Sequence, residues 1–151
     1  MPKVAHLGHI VFYVADLDRS LRFYRDLLGL QEVKGGDLPF QAAALTSGRT
    51  HHEVLLIEVG EVPPPASGPR LGFYHAGFCI GTSETELREA RDAVLAAGFV
   101  LKGSSDHTIT KSLYILDPDG NEIELYIDVP GVDWKGMPEL VLSPIKPLNL
   151  D

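Results

Sequence analysis

An internal repeat constrains the fold of this chain more than any other feature of its sequence. A strand-like segment that carries a histidine occurs twice, with His75 lying 66 residues after His9. Gly98, which follows a predicted helix, lies 69 residues after Gly29, which follows another. Because self-similarity of this kind is typical of tandem structural units, the sequence predicts two β-α-β-β-β modules in succession.

The first module is predicted to begin with a strand over residues 6–15, with both of its faces largely buried. A helix capped by Asp18 should then run to about Leu28 and end at Gly29, because its apolar residues recur at helical spacing. Three short strands are predicted after it, over residues 31–34, 40–46 and 51–59.

The second module repeats this order, beginning with a strand over residues 74–80. Ser83 and Glu86 have the spacing of a capping box, which predicts a helix that runs to about Ala97 and stops at Gly98. A short strand over residues 99–102 and a β-hairpin complete the module.

The hairpin is predicted over residues 112–126, with a three-residue turn that ends at Gly120. Counting back along both strands from that turn places Tyr114 directly opposite Glu124. Opposed residues share a face of the sheet, with Cβ atoms roughly 5 Å apart. A phenol and a carboxylate would therefore lie side by side, as part of a functional site or, alternatively, as a solvated surface pair.

The predicted fold class is α+β, with two tandem βαβββ modules and a mixed sheet. The expected boundaries are 5–60 for module one, 61–72 for a proline-rich linker and 73–128 for module two, all within one domain over residues 1–128, followed by an extended tail over 129–151. Trp134 and Leu140 are the expected apolar anchors of that tail, which would lie on the domain or on a neighbouring subunit.

Composition excludes several function classes. The chain has 151 residues, of which 44% are hydrophobic, enough for a sizeable core. Its formal charge of -8 argues against nucleic acid or an anionic membrane surface as a partner. Cys79 is the sole cysteine, and no apolar run has the length of a membrane span or a signal-peptide core. We therefore expect a cytoplasmic protein.

Three residues form a candidate metal-ligand set: His9, His75 and Glu124. The two histidines occupy equivalent positions in the repeat, and the glutamate lies on the last strand of module two. Two imidazoles and one carboxylate can hold one face of a ferrous ion and leave other positions open to small molecules. A single strand histidine is more often a hydrogen-bonded core residue, but equivalent placement of two favours the metal.

Together, several motifs of the chain resemble the vicinal oxygen chelate superfamily, which includes glyoxalases, fosfomycin and bleomycin resistance proteins, and extradiol dioxygenases. The motifs are Gly8-His9, the segment 16–24, Leu28-Gly29, Tyr74-His75 and the segment 117–124, and the match covers nearly all of residues 5–128. The resemblance implies paired modules that form a curved, cup-shaped sheet with the helices outside and the metal inside. It carries the ligand roles to His9, His75 and Glu124.

Within that superfamily the chain is most similar to the short type I extradiol, catechol 2,3-dioxygenase-like members. This similarity gives His52 the role of acid-base histidine. It also makes His107 a supporting histidine and Tyr114 the tyrosine that precedes the last ligand by ten residues. The chain departs from the larger enzymes of that family because it has one pair of modules and a proline-rich linker between His52 and His75.

These residue types suit the implied chemistry, because an imidazole can move protons and a phenol can hold an ionised hydroxyl. Ordinary alternatives exist: His52 as a polar strand end, His107 as a loop residue and Tyr114 as a core residue. His6 and His51 are interpreted as surface residues, and Cys79 as a packing residue.

Three functional hypotheses follow. The first is a non-haem iron dioxygenase that uses Fe(II), dioxygen and a small catechol-like aromatic substrate, and that assembles as a homo-oligomer such as a dimer. The second is a glyoxalase-type isomerase or lyase that uses Mn(II), Zn(II) or Ni(II). The third is a non-catalytic protein that sequesters a flat or chelating molecule, as resistance members of the superfamily do.

A fourth ligand from module one would favour the second hypothesis, and the repeat offsets point to two different positions. An offset of 66 from Glu124 gives Glu58, which can bind a metal, whereas an offset of 69 gives Leu55, which cannot. The offset of 69 separates the two glycines that follow the predicted helices. Gly29 is nearer in sequence to this strand than His9 is, so we favour the offset of 69. We therefore expect Leu55 to be the equivalent residue and the site to have three protein ligands.

Overall fold

A computed structural model describes residues 1–151 and divides them into two compact units, Met1–Pro64 and Pro65–Asp151. The sheet of the first unit has the strand order β1 (Ile10–Val14), β4 (Val54–Glu58), β3 (Ala42–Thr46) and β2 (Gln31–Glu32). The sheet of the second has the order β5 (His75–Gly81), β8 (Glu122–Asp128), β7 (Thr110–Leu116), β6 (Val100–Asp106) and β9 (Lys146–Pro147). In each sheet the first strand of the module is parallel to the last, while the remaining pairs are antiparallel. The predicted α+β fold of two tandem βαβββ modules with mixed sheets is confirmed.

The first unit contains four strands and one short helix. Their bounds are β1 Ile10–Val14, α1 Leu17–Leu21, β2 Gln31–Glu32, β3 Ala42–Thr46 and β4 Val54–Glu58. Phe12 and Val14 are buried on one face of β1, but Val11 is 46% and Tyr13 71% exposed on the other. The expectation that both faces of this strand are buried was wrong, because only the face beneath the helical segment is covered.

Helix α1 begins two residues earlier than predicted. Asp16, not Asp18, is the N-cap: its Oδ1 accepts a hydrogen bond from the backbone N–H of Arg19 at 2.7 Å. The helix continues as a π-helical segment over Arg22–Leu27 and ends at Gly29, whose φ of +75° is left-handed.

The second unit contains five strands and one longer helix. Their bounds are β5 His75–Gly81, α2 Glu84–Ala96, β6 Val100–Asp106, β7 Thr110–Leu116, β8 Glu122–Asp128 and β9 Lys146–Pro147. Ser83 and Glu86 form the predicted capping box on α2. Strand β6 is longer than expected because it pairs with β7 as far as Asp106 opposite Lys111. None of the helices combines the length and the apolar composition that a membrane span requires.

The β7–β8 hairpin has the predicted register. The backbone N–H of Asp117 donates to the carbonyl of Asn121 at 2.9 Å, and Gly120 has a φ of +87° in the turn. Tyr114 lies opposite Glu124. The turn therefore sets which side chains share a face, as its sequence indicated.

The tail is held at its end, and the predicted anchor Trp134 is exposed. Residues Pro138–Leu142 form a 3-10 turn, and β9 then pairs with the edge of β6. Leu150 is 5% exposed, whereas Trp134 is 53% exposed. The guanidinium of Arg91 donates to the Leu150 carbonyl at 3.1 Å, so the anchoring comes from α2 and from β6.

The capping box generates a stability prediction. Ser83→Ala removes the hydroxyl that accepts from the backbone N–H of Glu86, so the free energy of unfolding should fall by about 1 kcal/mol. Urea unfolding followed by circular dichroism measures this change. Ser67→Ala, an exposed linker substitution, is the matched control and should be neutral. Equal stability of the two variants would contradict the capping role.

Candidate active site

One face of the second sheet gathers most of the polar side chains predicted for the site. His75 on β5 lies in register with Glu122 on β8, and the neighbouring row runs from Gly77 through Glu124 to Tyr114. Residues two apart on a strand point to the same face, so both carboxylates lie on the side of the sheet that carries His75 and Tyr114. The opposite face supplies the core, including Leu113, Ile115, Ile123 and Leu125.

His75 and Glu124 form a close pair of possible metal ligands. Nε2 of His75 lies 3.1 Å from Oε2 of Glu124, and both side chains are largely buried. Two donors each about 2.1 Å from a metal ion and at right angles are themselves about 3 Å apart. A Cβ on Gly77 would lie 3.4 Å from Oε2 of Glu124, so the carboxylate packs directly over the glycine. The donor set and its spacing fit a divalent metal.

Tyr114 and His107 form a second pair on the same face. The phenolic oxygen of Tyr114 lies 2.6 Å from Nε2 of His107. Burial, and then the charge of Glu124, raise the pKa of Tyr114 to about 12. The phenol therefore keeps its proton at neutral pH and remains a hydrogen-bond donor.

Three histidines cluster in the first unit. The rings of His9 and His52 are 4.5 Å apart, and so are those of His51 and His52. Burial, then the proximity of His51 and of His9, lower the pKa of His52, which favours its neutral form. A neutral imidazole at this position can accept a proton.

His51 was interpreted as a surface residue, and it is exposed. Its contact with His52 was not predicted: the two Nδ1 atoms lie 2.6 Å apart. Adjacent residues in a regular strand would point to opposite faces. Both histidines precede β4, and His51 lies in a bend of the chain, which allows their rings to meet.

Glu58 does not lie on the face expected of a fourth ligand. Its Oε2 accepts a hydrogen bond from the backbone N–H of Leu17 at the start of α1, at 2.8 Å. In strand register Leu55 lies opposite Val11, just as Glu124 lies opposite Gly77. Leu55 is therefore the equivalent of Glu124 in the repeat, and it lines an open cavity of about 750 Å³ in the first unit.

Three residues around His75 were missed by the sequence reasoning: Tyr74, Lys102 and Glu122. Glu122 is buried, and the ammonium of Lys102 donates a hydrogen bond to its Oε2. A hydrogen bond to Glu122 raises the pKa of Tyr74. Glu122 could have been predicted, because it lies two residues from Glu124 and therefore on the same face of the strand. The position of Lys102 could not, because its approach to Glu122 depends on the bulge in β6.

The structure does not by itself group three His, Cys, Asp or Glu side chains closely enough to hold a metal ion. His75, Glu124, Tyr114 and His107 come together in the second unit, and His9 and His52 in the first. Cys79, interpreted as a packing residue, is exposed. That interpretation was wrong because the face of β5 that carries His75 is not covered by the core.

Comparisons with known proteins agree on one superfamily. The model of the Glyoxalase/Bleomycin resistance protein/Dioxygenase superfamily matches residues 6–125. A catechol-2,3-dioxygenase of Bacillus subtilis (strain 168) is 34% identical over 133 residues, which cover 86% of this chain and 44% of that protein. The chain thus spans less than half the length of that relative.

Two further relatives show how broad the similarity is. A metallothiol transferase, FosB, of Staphylococcus epidermidis is 30% identical over 137 residues, covering 82% of each chain. The crystal structure of a glyoxalase/dioxygenase from Nostoc punctiforme superposes with a TM-score of 0.70 at 22% identity, covering 82% of this chain and 91% of that chain. At that identity the structural match supports the fold alone.

The elevated pKa of Tyr114 is directly testable in metal-free protein. Tyr114 should contribute a late component of tyrosine ionisation near pH 12, and this contribution should be lost in Tyr114→Phe. Because the folded chain holds this proton more tightly than the unfolded chain, the free energy of unfolding should fall as the pH rises from about 10 to about 12. Ultraviolet titration of tyrosinate measures the first effect, and urea unfolding the second.

The control for this titration is Tyr13→Phe, which alters a tyrosine that is 71% exposed. This variant should retain the late component. Ionisation of Tyr114 near its ordinary value would contradict the assigned environment of the phenol.

Proposed function

Because this chain belongs to the glyoxalase, bleomycin resistance protein and dioxygenase superfamily, we propose that it is a metal-dependent dioxygenase that cleaves the ring of a small catechol-like aromatic. The observation that carries the proposal is the cluster on the second sheet, where the pair His75 and Glu124 lies beside a protonated Tyr114 that contacts His107. The similarity to a catechol-2,3-dioxygenase supports the same assignment. Dioxygen would be the second substrate.

The proposed metal ligands are His9, His75 and Glu124. The spacing of His75 and Glu124 suits two bonds to one ion, and the repeat supplies His9 as the equivalent of His75. Fe(II) is the proposed metal, with Mn(II), Zn(II) and Ni(II) as alternatives. His9, His75 and Glu124 would hold the ferrous ion, which would offer open positions to the substrate and to dioxygen.

Tyr114 is proposed to hold the ionised hydroxyl of the substrate. Its pKa of about 12 keeps the O–H in place at neutral pH, so the phenol can donate a hydrogen bond to a substrate oxygen that carries negative charge. His107, 2.6 Å from the phenolic oxygen, restricts the direction of the O–H bond. Donation to substrate would replace or share the contact with His107.

His52 is proposed as the group that moves protons. Its lowered pKa favours a neutral imidazole, which can take a proton from the second substrate hydroxyl and later return it. The contact with His51 gives this imidazole a neighbour with which it can share a proton. His51 would then assist His52 without touching the substrate.

A metal-dependent transferase or isomerase is the second candidate function. One observation favours it: the match covers 82% of the length of a metallothiol transferase but 44% of the length of the catechol dioxygenase. Against a glyoxalase-type isomerase, the position equivalent to Glu124 in the first module is Leu55, which cannot supply a fourth ligand. A sequestering protein without turnover is the third candidate.

Metal content tests the ligand assignment. After anaerobic loading with Fe(II) and gel filtration, wild-type protein should retain one metal ion per chain, and His9→Ala, His75→Ala and Glu124→Ala should each lose most of it. Each residue supplies one of only three protein bonds, which is why a single loss is severe. Glu58→Ala is the matched control and should keep the metal, since Glu58 faces α1. Full occupancy in all three ligand variants would refute the site.

Measurement of turnover tests the roles proposed for His52 and Tyr114. His52→Ala and Tyr114→Phe should keep the metal but lower the rate of dioxygen consumption with catechols by about a hundredfold, the scale of losing a positioned acid-base group. His6→Ala, a change at an exposed histidine, should leave the rate unaltered. An enzyme that binds Fe(II) but consumes no dioxygen with any catechol would favour the second candidate function.

A further inference from the structure

The turn between β6 and β7 contains the only non-glycine residue of the chain with a positive φ, Thr108 at +74°. The backbone N–H of Ile109 donates to the carbonyl of His107 at 2.9 Å, so Thr108 is the central residue of a γ-turn. A positive φ makes this the rarer and strained form of the γ-turn, to which a β-branched residue is poorly suited. Such a conformation persists only where the surrounding contacts hold it.

The strained turn carries His107. Its Nε2 lies 2.6 Å from the phenolic oxygen of Tyr114, and it directly precedes Thr108. If Thr108 relaxed to a negative φ, the peptide that joins it to His107 would turn, and the imidazole would move away from the phenol. The contacts that hold Thr108 therefore also hold His107 in place.

Some of these contacts come from the turn itself. Oδ1 of Asp106 accepts a hydrogen bond from the backbone N–H of Thr108 at 2.7 Å. The backbone N–H of His107 donates to the carbonyl of Thr110 at 2.9 Å. These bonds close the turn, but they join residues that would all move with it.

The tail supplies contacts from outside the turn. Strand β9 pairs with the end of β6, where Lys146 lies opposite Asp106. The ammonium of Lys146 also donates to the hydroxyl of Thr108 at 3.3 Å. One short strand thus contacts both of the residues that flank His107.

Strand β9 depends on the residues that follow it. It has two residues, of which Pro147 has no backbone N–H to donate. Beyond it, the hydroxyl of Ser104 donates to the carbonyl of Leu148 at 3.0 Å, and the guanidinium of Arg91 donates to that of Leu150 at 3.1 Å. The side chain of Leu150 is buried, so it anchors the strand that contacts the turn.

We propose that β9 is a positioning element, which holds Thr108 in its strained conformation and thereby keeps His107 against Tyr114. Leu150 acts as the anchor of β9, and Lys146 as its direct contact to the turn. The consequence for turnover rests on the proposed function, whereas the position of His107 does not.

Four variants separate this role from a general effect on stability. Leu150→Asp puts a charge at a buried position and should detach the tail from β6. Leu142→Asp is the matched control, because it makes the same change at a tail residue that is 90% exposed. Lys146→Met removes the ammonium that contacts Thr108, so its effect should have the same direction and be smaller. Thr108→Gly removes the strain, because glycine adopts a positive φ readily.

The position of His107 can be measured in metal-free protein. Nuclear Overhauser spectra should show contacts between the ring protons of His107 and Tyr114 in the wild type and in Leu142→Asp, with His107→Ala and Tyr114→Phe identifying the signals. In Leu150→Asp these contacts should be lost. Amide hydrogen exchange over residues 106–110, which reports local opening, should become about tenfold faster in that variant.

The combination of Leu150→Asp with Thr108→Gly tests whether the tail acts by opposing strain. In the Thr108→Gly background, detaching the tail should speed exchange at the turn by less than about threefold, because the turn no longer needs to be held. An equal effect of Leu150→Asp in both backgrounds would overturn the proposal. So would His107–Tyr114 contacts that persist after exchange over residues 146–150 shows the tail to be detached.

Lys146→Met keeps the proposal testable if Leu150→Asp is unfolded by circular dichroism, or if its tail remains protected from exchange. Exchange over residues 106–110 should then become about threefold faster in Lys146→Met, with weaker contacts between His107 and Tyr114. Exchange equal to that of the wild type would contradict the role of β9.

Turnover supplies the second readout. With Fe(II)-loaded protein and a catechol, Leu150→Asp should lower kcat for dioxygen consumption by about 10–100-fold, the scale of a misplaced active-site group, and Thr108→Gly should recover most of that loss. Wild-type turnover in a variant whose His107 has moved would overturn the role of β9 in the reaction. If the wild type consumes no dioxygen with any catechol, the proposed function fails, while the Overhauser contacts and the exchange rates still decide what holds His107.

Discussion

The register of β7 against β8 is the constraint on which the rest of the site depends. It places Tyr114 opposite Glu124 and puts Glu122 on the face shared with His75. A slip of one residue would turn both carboxylates into the core and turn Ile123 outward. The turn at Gly120 opposes such a slip, and so does the burial of the apolar side chains on the other face, where Leu113 and Ile123 are fully buried.

Two carboxylates beside two phenols give this face its electrostatic character. A hydrogen bond to Glu122 raises the pKa of Tyr74, while burial and then Glu124 raise that of Tyr114. Both tyrosines therefore remain donors around a cluster that is rich in acceptors. A cation is the ligand that such acceptors favour, and an ionised oxygen is the group that a protonated phenol favours.

The two modules share a topology but have diverged in chemistry. Gly77 and Glu124 occupy the register positions that Val11 and Leu55 occupy in the first unit. Only the second module therefore combines a histidine with a carboxylate, whereas the first offers clustered imidazoles around His52. A duplicated fold of this kind supplies equivalent places in space, and the residues at those places give the two halves different side-chain chemistry.

Local sequence patterns were sufficient to predict the repeat, the hairpin register and the capping box, because turn residues, strand parity and cap spacing act over a few neighbouring residues. Through the hairpin register they also predicted that Tyr114 lies beside Glu124. Other features are visible only in the folded chain: Glu122 is buried against Lys102, Glu58 faces Leu17, and the tail returns to pair with β6. Those contacts join residues about 20 to 40 apart in the chain. No local pattern encodes them, because they depend on how separate elements pack and on which polar groups the packing leaves to be paired.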